Sequence, residues 1–259
     1  MVPMNSEKSE RNLVQFYDSL ANEYDELTGF AERFDKEHSA FQMLVQKYDL
    51  KIVLDAGCGT GFHSILLAQL GLHVTAADIS EQMLRQAKQN AEHMSVQVET
   101  IQTSFQGMNE SVHNKFDAVF CLGNTLPHVL TEEELFQSFK SFRKILNSDG
   151  RVFLQLLNYD RILNFRERIL NVKEVNDKIF VRFYDYEGET ILFNILTIEK
   201  KRDKLKHSLN SVRLTPWRSS DIVRTLKDGG FHNAELFGTM SLNTYDEYSS
   251  KDLVVIAQL

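Results

Sequence analysis

Three glycines at alternate positions, Gly57, Gly59 and Gly61, follow directly on the apolar run Val53-Leu54-Asp55-Ala56. Glycine lets the backbone approach a ligand with no side chain in between, and a helix predicted to start at Phe62 turns its unpaired N–H groups toward that loop. A nucleotide-like ligand carrying a carboxylate or phosphate is the chemistry such a loop serves. Asp78 stands at the end of the next apolar segment, His73-Val74-Thr75-Ala76-Ala77, where a carboxylate accepts hydrogen bonds from both hydroxyls of a ribose. The loop and the acid together specify far more than either alone. A dinucleotide fingerprint needs a further glycine where Phe62 stands, so that helix and strand close around a pyrophosphate. Phe62 therefore disfavours NAD. Asp55 has two readings, orienting the loop or touching the ligand, and the residues alone leave both open.

The elements that must position these groups follow from periodicity. Ile52-Val53-Leu54, His73 to Ala77, Val96 to Ile101, Phe116 to Leu122 and Arg151 to Leu157 read as strands, the last entered through a turn at Ser148-Asp149-Gly150. Helices are predicted between them at Phe62 to Leu70, after the N-cap Ser80, and from Thr131 to Leu146. Such alternation requires crossover connections, hence a doubly wound, mostly parallel α/β sheet of seven strands with helices on both faces. Residues 1–50 read as a helical segment over the site, with Phe16, Leu20, Tyr24 and Leu27 at helical spacing and Phe34, Phe41, Leu44, Val45 and Tyr48 on a second stretch. After Asn158 the pattern breaks. Lys178 to Tyr186, Thr190 to Lys200 and His207 to Leu214 predict an antiparallel meander. The expected organisation is a core of residues 51–158 and 215–259 with a cap inserted at 159–214. The core closes with a helix from Ser219 to Lys227 and strands at Ala234 to Phe237 and Leu253 to Ala257.

Composition narrows the function classes. A net charge of −7 opposes a protein whose task is to neutralise a phosphate backbone, so no nucleic-acid partner is expected. The basic run Lys200-Lys201-Arg202-Asp203-Lys204-Leu205-Lys206 lacks interleaved aromatics and reads as a solvated turn. No stretch approaches the roughly 18 apolar residues of a membrane span, and the N-terminus lacks a signal-peptide core. No membrane partner and a cytoplasmic location are expected. Cys58 and Cys121 are too far apart for a metal-ligand spacing, and no metal is expected.

At this point the chain resembles the class I S-adenosylmethionine-dependent methyltransferases, whose motifs match Leu54-Asp55-Ala56-Gly57-Cys58-Gly59-Thr60-Gly61 and Ala77-Asp78-Ile79-Ser80-Glu81-Gln82-Met83-Leu84. The resemblance implies S-adenosyl-L-methionine as cofactor. It implies that Gly57, Gly59 and Gly61, with Cys58, wrap the methionine part, that Asp78 holds the ribose, and that Ile79 and Met83 face the adenine. Met83 has a core reading as well, on a helix face shared with Leu84 and Ala87. Family members place an Asp after the third strand where this chain reads Gln102-Thr103-Ser104-Phe105. Ser104 substitutes there as an uncharged acceptor beside the Phe105 backbone, and Leu122 completes the cofactor set.

Gly123-Asn124 followed by His128, and Asn158-Tyr159-Asp160, resemble segments of the glycine and sarcosine N-methyltransferase group. The preceding Gln155-Leu156-Leu157 departs from the basic residues of that group, which points away from glycine itself. Asn124, His128 and Tyr159 are thus the substrate-positioning candidates, with His128 also readable as a loop histidine bonded to backbone. Tyr17 and Tyr24 resemble an N-terminal segment that closes over the site, although their spacing also suits plain packing. Methyl transfer is an in-line displacement by a lone pair, so no catalytic acid–base pair is obligatory. The expectation is an enzyme methylating a small molecule at nitrogen. An oxygen or sulfur acceptor, or a non-catalytic S-adenosylmethionine-binding module, are the alternatives, and a homodimer is left open.

Overall fold

A computed structural model describes residues 4–21, 23–201 and 204–259. Three N-terminal helices, α1 (Met4–Leu20), α2 (Tyr24–Thr28) and α3 (Phe30–Lys47), precede the first strand. The chain then alternates through β1 (Ile52–Ala56), α4 (Phe62–Gln69), β2 (His73–Asp78), α5 (Glu81–His93), β3 (Glu99–Gln102), α6 (Met108–Ser111), β4 (Phe116–Cys121), a 3-10 turn at Leu126–His128, α7 (Glu132–Ile145) and β5 (Leu146–Leu157). A short helix α8 (Tyr159–Phe165) leads into β6 (Ile169–Val175), β7 (Lys178–Glu187), β8 (Thr190–Lys201) and β9 (Lys204–Leu214). Helix α9 (Ser219–Asp228) and strands β10 (His232–Phe237) and β11 (Asp252–Gln258) end the chain.

The main sheet has the order β10-β11-β5-β4-β1-β2-β3. Strands β1 to β5 run parallel, β11 runs antiparallel to β5, and β10, antiparallel to β11, runs in the direction of the first five. The order reverses between β1 and β4, so the loops after these two strands diverge and leave a crevice at their carboxyl ends. Strands β1, β4 and β11 are mostly apolar and buried because both faces are covered. On one of them Phe120 stacks on Phe153 with ring centroids 4.6 Å apart. Helix α7 is set by a capping box, in which Thr131 accepts from the Glu134 N–H and the Glu134 carboxylate accepts from the Thr131 N–H. The remaining strands form a separate four-stranded antiparallel sheet, β6-β7-β8-β9.

Several boundaries differ from the sequence expectation, for local reasons. The strand expected from Val96 begins only at Glu99, because the Val96 N–H donates to Ala91 O and finishes the end of α5. Ser148-Asp149-Gly150, expected as a turn, lies inside β5, where the register against β4 shifts between Phe116 and Ala118. The cap has a further strand, β6, whose exposed Ile169 and Val172 hide the alternation by which a strand is recognised. The helical stretch through Phe16 and Tyr24 is broken after Leu20, with the Glu23 N–H donating to Leu20 O; Asn22 lies outside the described residues. Arg202 and Asp203 of the basic run also lie outside them, at the β8–β9 connection. Among the described residues no helix is long and apolar enough to cross a membrane.

Helix α3 is fastened to α4 by aromatic and ionic contacts. Phe30 and Phe34 pack on Phe62, at 5.4 and 4.8 Å between ring centroids, and the Arg33 guanidinium lies 3.9 Å over the Phe62 ring. Glu37 accepts from Arg33 Nε at 2.7 Å and lies 3.3 Å from His63 Nε2. Burial pushes the Glu37 carboxyl up, but hydrogen bonds from His63 and Arg33 outweigh it and bring it from 4.5 down to about 2. A depressed carboxyl stabilises the fold above its unfolded pKa and loses that contribution as pH falls toward 2. Glu37→Gln should therefore cost about 1–3 kcal/mol at neutral pH, the scale of hydrogen bonds to a charged group. Melting curves of both proteins should converge near pH 2, and a gap of constant size down to that pH would exclude an ionic origin.

Candidate functional site

The loop after β1 is held by the end of β2. The Gly57 and Cys58 N–H groups both donate to Ala77 O, at 2.7 and 3.0 Å. Asp78 closes the arrangement by accepting from the Gly59 N–H through Oδ2 and from the Ser80 N–H through Oδ1, each at 2.9 Å. Burial raises its carboxyl to about 6, although the N–H groups of Ser80 and Gly59 pull the other way. A cleft of about 860 Å³, open to solvent, runs past Gly57, Gly59, Asp78, Ile79, Thr103, Ser104 and Phe105. Leu13 and Tyr17 of α1, Tyr24 of α2, and Thr125 with His128 to Leu130 line its other side. A Cβ on Gly57 would come 2.3 Å from Thr125 Cγ2, and one on Gly59 would point across the cleft to Tyr24 at 3.8 Å.

Five residues expected in this set lie outside the lining of the cleft. Gly61 faces α5, where a Cβ would meet Ala87 Cβ at 2.9 Å, so its absence of side chain lets two helices approach. Asp55 is buried and accepts from Ser64 Oγ at 2.6 Å; of its two readings, the structure displays the one that orients the loop and α4. Met83 is wholly buried. The Cys58 thiol is buried, which pushes its pKa well up, and lies 3.5 Å from Gly59 O. Leu122 lines a separate surface cleft beside Arg33 and Gln155.

A second cavity, of about 1270 Å³ and also open to solvent, lies between the core and the cap sheet. It meets the first at Tyr17, Tyr24 and His128, which line both. Asn124, in a left-handed conformation (φ 65°), borders it. Its Oδ1 accepts from the Leu157 N–H and its Nδ2 donates to the Tyr159 hydroxyl, each at 3.0 Å. Tyr159 is buried behind Asn124, and burial raises its hydroxyl pKa against the opposing Asn124 hydrogen bond. The Tyr17 hydroxyl lies 2.6 Å from His128 Nε2 with the rings edge to face. Burial lowers His128 to about 3, which keeps the ring uncharged, and its buried Nδ1 has no partner. Asn158 and Asp160 do other work: both accept from the Tyr245 hydroxyl, Asn158 ties down the backbone of residues 246–250, and Asp160 holds Arg218 and the Ser219 N–H.

Residues 53–150 match the family model of a methyltransferase domain. The chain is 32% identical to the glycine/sarcosine N-methyltransferase of Aphanothece halophytica over 243 residues, covering 91% of this chain and 87% of that one. The chain belongs to the class I S-adenosylmethionine-dependent methyltransferases. A second relative, the glycine/sarcosine N-methyltransferase of Halorhodospira halochloris, is 30% identical across 86% of this methyltransferase and 81% of its own length. In fold it is similar to an S-adenosylmethionine-dependent methyltransferase from Clostridium acetobutylicum, with a TM-score of 0.79 at 16% identity over 94% of this chain and 98% of that one. S-adenosylmethionine is the cofactor of this methyltransferase, and the first cleft fits it: side-chain-free backbone at Gly57 and Gly59, and a carboxylate at Asp78 with lone pairs left for ribose hydroxyls.

Sequence reasoning missed the ties that hold the methyltransferase's N-terminal helices over this site. Ser80 Oγ donates to Asp18 Oδ1 at 2.6 Å while capping α5. Asn90 Nδ2 reaches Asp25 Oδ2 at 2.9 Å, and Lys178 of the cap pairs with Glu23 at 2.5 Å. No local pattern signals such pairs. Also missed were Thr125, against Gly57, and Arg182 and Tyr184 on β7. For these two a signal existed, since the alternation Phe180-Arg182-Tyr184 places them on one face of the strand.

Proposed function

We propose that this methyltransferase transfers its methyl group to a nitrogen atom of a small molecule bound between Asn124, His128 and Tyr159, beneath the cap strands. The observation that carries the reading is the second cavity, joined to the cofactor cleft at Tyr17, Tyr24 and His128. A module that only bound the cofactor would need no room for an acceptor beside it. The names of the two relatives support nitrogen as the accepting atom. S-adenosylmethionine supplies a methyl group on a positively charged sulfur, open to attack by a lone pair. The chain's own residues align that lone pair and exclude water. An uncharged His128 adds no repulsion to a cation next to it. Asn124, fixed through Leu157 and Tyr159, offers the acceptor an amide of set orientation. The reading also assigns residues 1–50 as the segment covering the site, 51–158 and 215–259 as the core and 159–214 as the cap, in a cytoplasmic enzyme whose self-association is tested by sedimentation.

Asn124→Ala and Tyr159→Phe should each lower turnover about 10- to 100-fold, the loss expected when oriented hydrogen bonds near the reacting atoms go. S-adenosylhomocysteine binding should change less than about threefold, since neither Asn124 nor Tyr159 lines the cofactor cleft. A methyl-transfer screen over amines, phenols, thiols and carboxylates decides the atom. Turnover of phenols or thiols with every amine inert would reject nitrogen, and an equal loss of cofactor affinity in both variants would reject the assignment of the second cavity.

A further inference from the structure

On β7 the residues Phe180, Arg182 and Tyr184 share the face turned toward the second cavity, and Phe180 and Tyr184 are wholly buried. A guanidinium in that row is out of place in an apolar face unless something neutralises it. Arg182 Nε donates to Asn171 Oδ1 at 2.7 Å across the β6–β7 pair, which satisfies one of its five N–H groups with a neutral acceptor. No carboxylate among the described residues pairs with it, whereas the other arginine lining this cavity, Arg33, is committed to Glu37 and to the Phe62 ring. Burial pulls the Arg182 pKa down, and only the hydroxyls of Tyr24 and Tyr184 oppose this. The neighbouring Tyr184 hydroxyl is buried against the Tyr159 hydroxyl. Arg182 thus brings to the wall of the cavity a guanidinium held by one neutral acceptor and, among the described residues, by no carboxylate.

We propose that Arg182 binds a carboxylate carried by the methyl acceptor. The assignment rests on the reading of the second cavity as the acceptor site. A carboxylate suits the position better than a phosphate, because one planar guanidinium matches its charge and its two oxygens, whereas a phosphate dianion would remain half neutralised. With the carboxylate held at the cap and the nitrogen turned toward Asn124 and the Tyr17–His128 pair, the cap sheet acts as the selector of the acceptor's far end. Arg182 is then a specificity-determining residue, separate from the residues that align the reacting nitrogen.

The test uses the full chain saturated with S-adenosylhomocysteine and titrated with sodium acetate, with acetamide as the uncharged isostere. Wild type should bind acetate well ahead of acetamide. Arg182→Gln should weaken acetate about 10- to 150-fold, as for loss of a charge-assisted hydrogen bond, and Arg182→Lys should fall in between. Arg182→Met should melt no lower than wild type, because it removes a half-buried charge that none of the described carboxylates pairs. Equal affinity for acetate in wild type and Arg182→Gln, or no acetate binding to wild type, overturns the proposal. So does a markedly lower melting point for Arg182→Met, which would make the residue a structural tie to Asn171. The two readings fail separately: acetate bound through Arg182 while every amine is inert in the methyl-transfer screen rejects nitrogen methylation alone. Amino acids and their amides methylated equally well, by wild type and Arg182→Gln alike, reject the role of Arg182 alone.

Discussion

Gly57→Ala should raise the dissociation constant for S-adenosylhomocysteine at least about 100-fold, a loss of roughly 2.7 kcal/mol. The new Cβ would sit 2.3 Å from Thr125 Cγ2 and 3.3 Å from Phe105 Cζ, distances at which something must move. Gly57 also has φ 71°, where a side chain costs about 1–2 kcal/mol of its own. The loop cannot relieve both without giving up the bonds of Gly57 and Cys58 to Ala77 O, and those bonds set the floor of the cleft. Melting should drop as well, so titration and melting are read together. Thr125→Ser in the Gly57→Ala background removes the methyl group at 2.3 Å but leaves Thr125 Cβ's position at 3.2 Å. It should recover part of the binding and leave the backbone strain in place. Normal binding by Gly57→Ala would mean that the cofactor lies elsewhere.

Asp78→Ala should weaken cofactor binding by about 1.5–3 kcal/mol, the scale for hydrogen bonds to a charged group, with the fold retained. Its pH dependence gives an independent check. In the cofactor-free protein burial holds this carboxyl at about 6, above its ordinary 3.8. The folded state therefore keeps the proton more readily than the unfolded chain, and Asp78 withdraws stability as pH rises from about 4 to 6. Ribose hydroxyls donating to the carboxylate favour its charged form and lower its pKa in the complex. Binding then releases a proton, so affinity in the wild type should fall as pH drops through 6, by up to about tenfold per unit. Asp78→Ala should lack this slope. Calorimetry in buffers of different ionisation enthalpy counts the proton, and an unchanged slope in the variant would remove Asp78 from the ribose site.

The cofactor half of this site could be read from the chain because its determinants are local. Val53 to Ala56 is an apolar strand, glycines follow at alternate positions, and Asp78 ends the next strand, so a βαβ unit brings the loop and the acid together whatever the rest of the molecule does. The strand–helix alternation likewise fixed the parallel sheet, since parallel neighbours need crossovers. Within the loop the local pattern did not separate Gly57 and Gly59, which face the cleft, from Gly61, which faces Ala87 of α5. That division depends on how far apart two helices pack.

The half proposed for the acceptor was legible only as segments. Gly123-Asn124 and Asn158-Tyr159-Asp160 marked the right strand ends, yet only folding shows Asn124 bonded to Tyr159, and Asn158 and Asp160 engaged with Tyr245, Arg218 and Ser219. Edge strand β6 escaped because its exposed apolar residues carry no period. Asp18 on Ser80 and Glu23 on Lys178 join residues 62 and 155 apart in sequence, and Arg182 shares a cavity wall with Tyr24 and Asn124 from two other parts of the chain. Side-chain periodicity reports which face of an element is buried, and it carries no record of which distant element covers that face. The residue types thus determined the cofactor, while the tertiary structure alone decided what lines the second cavity, because that pocket is assembled from the N-terminal helices, the core and the cap at once.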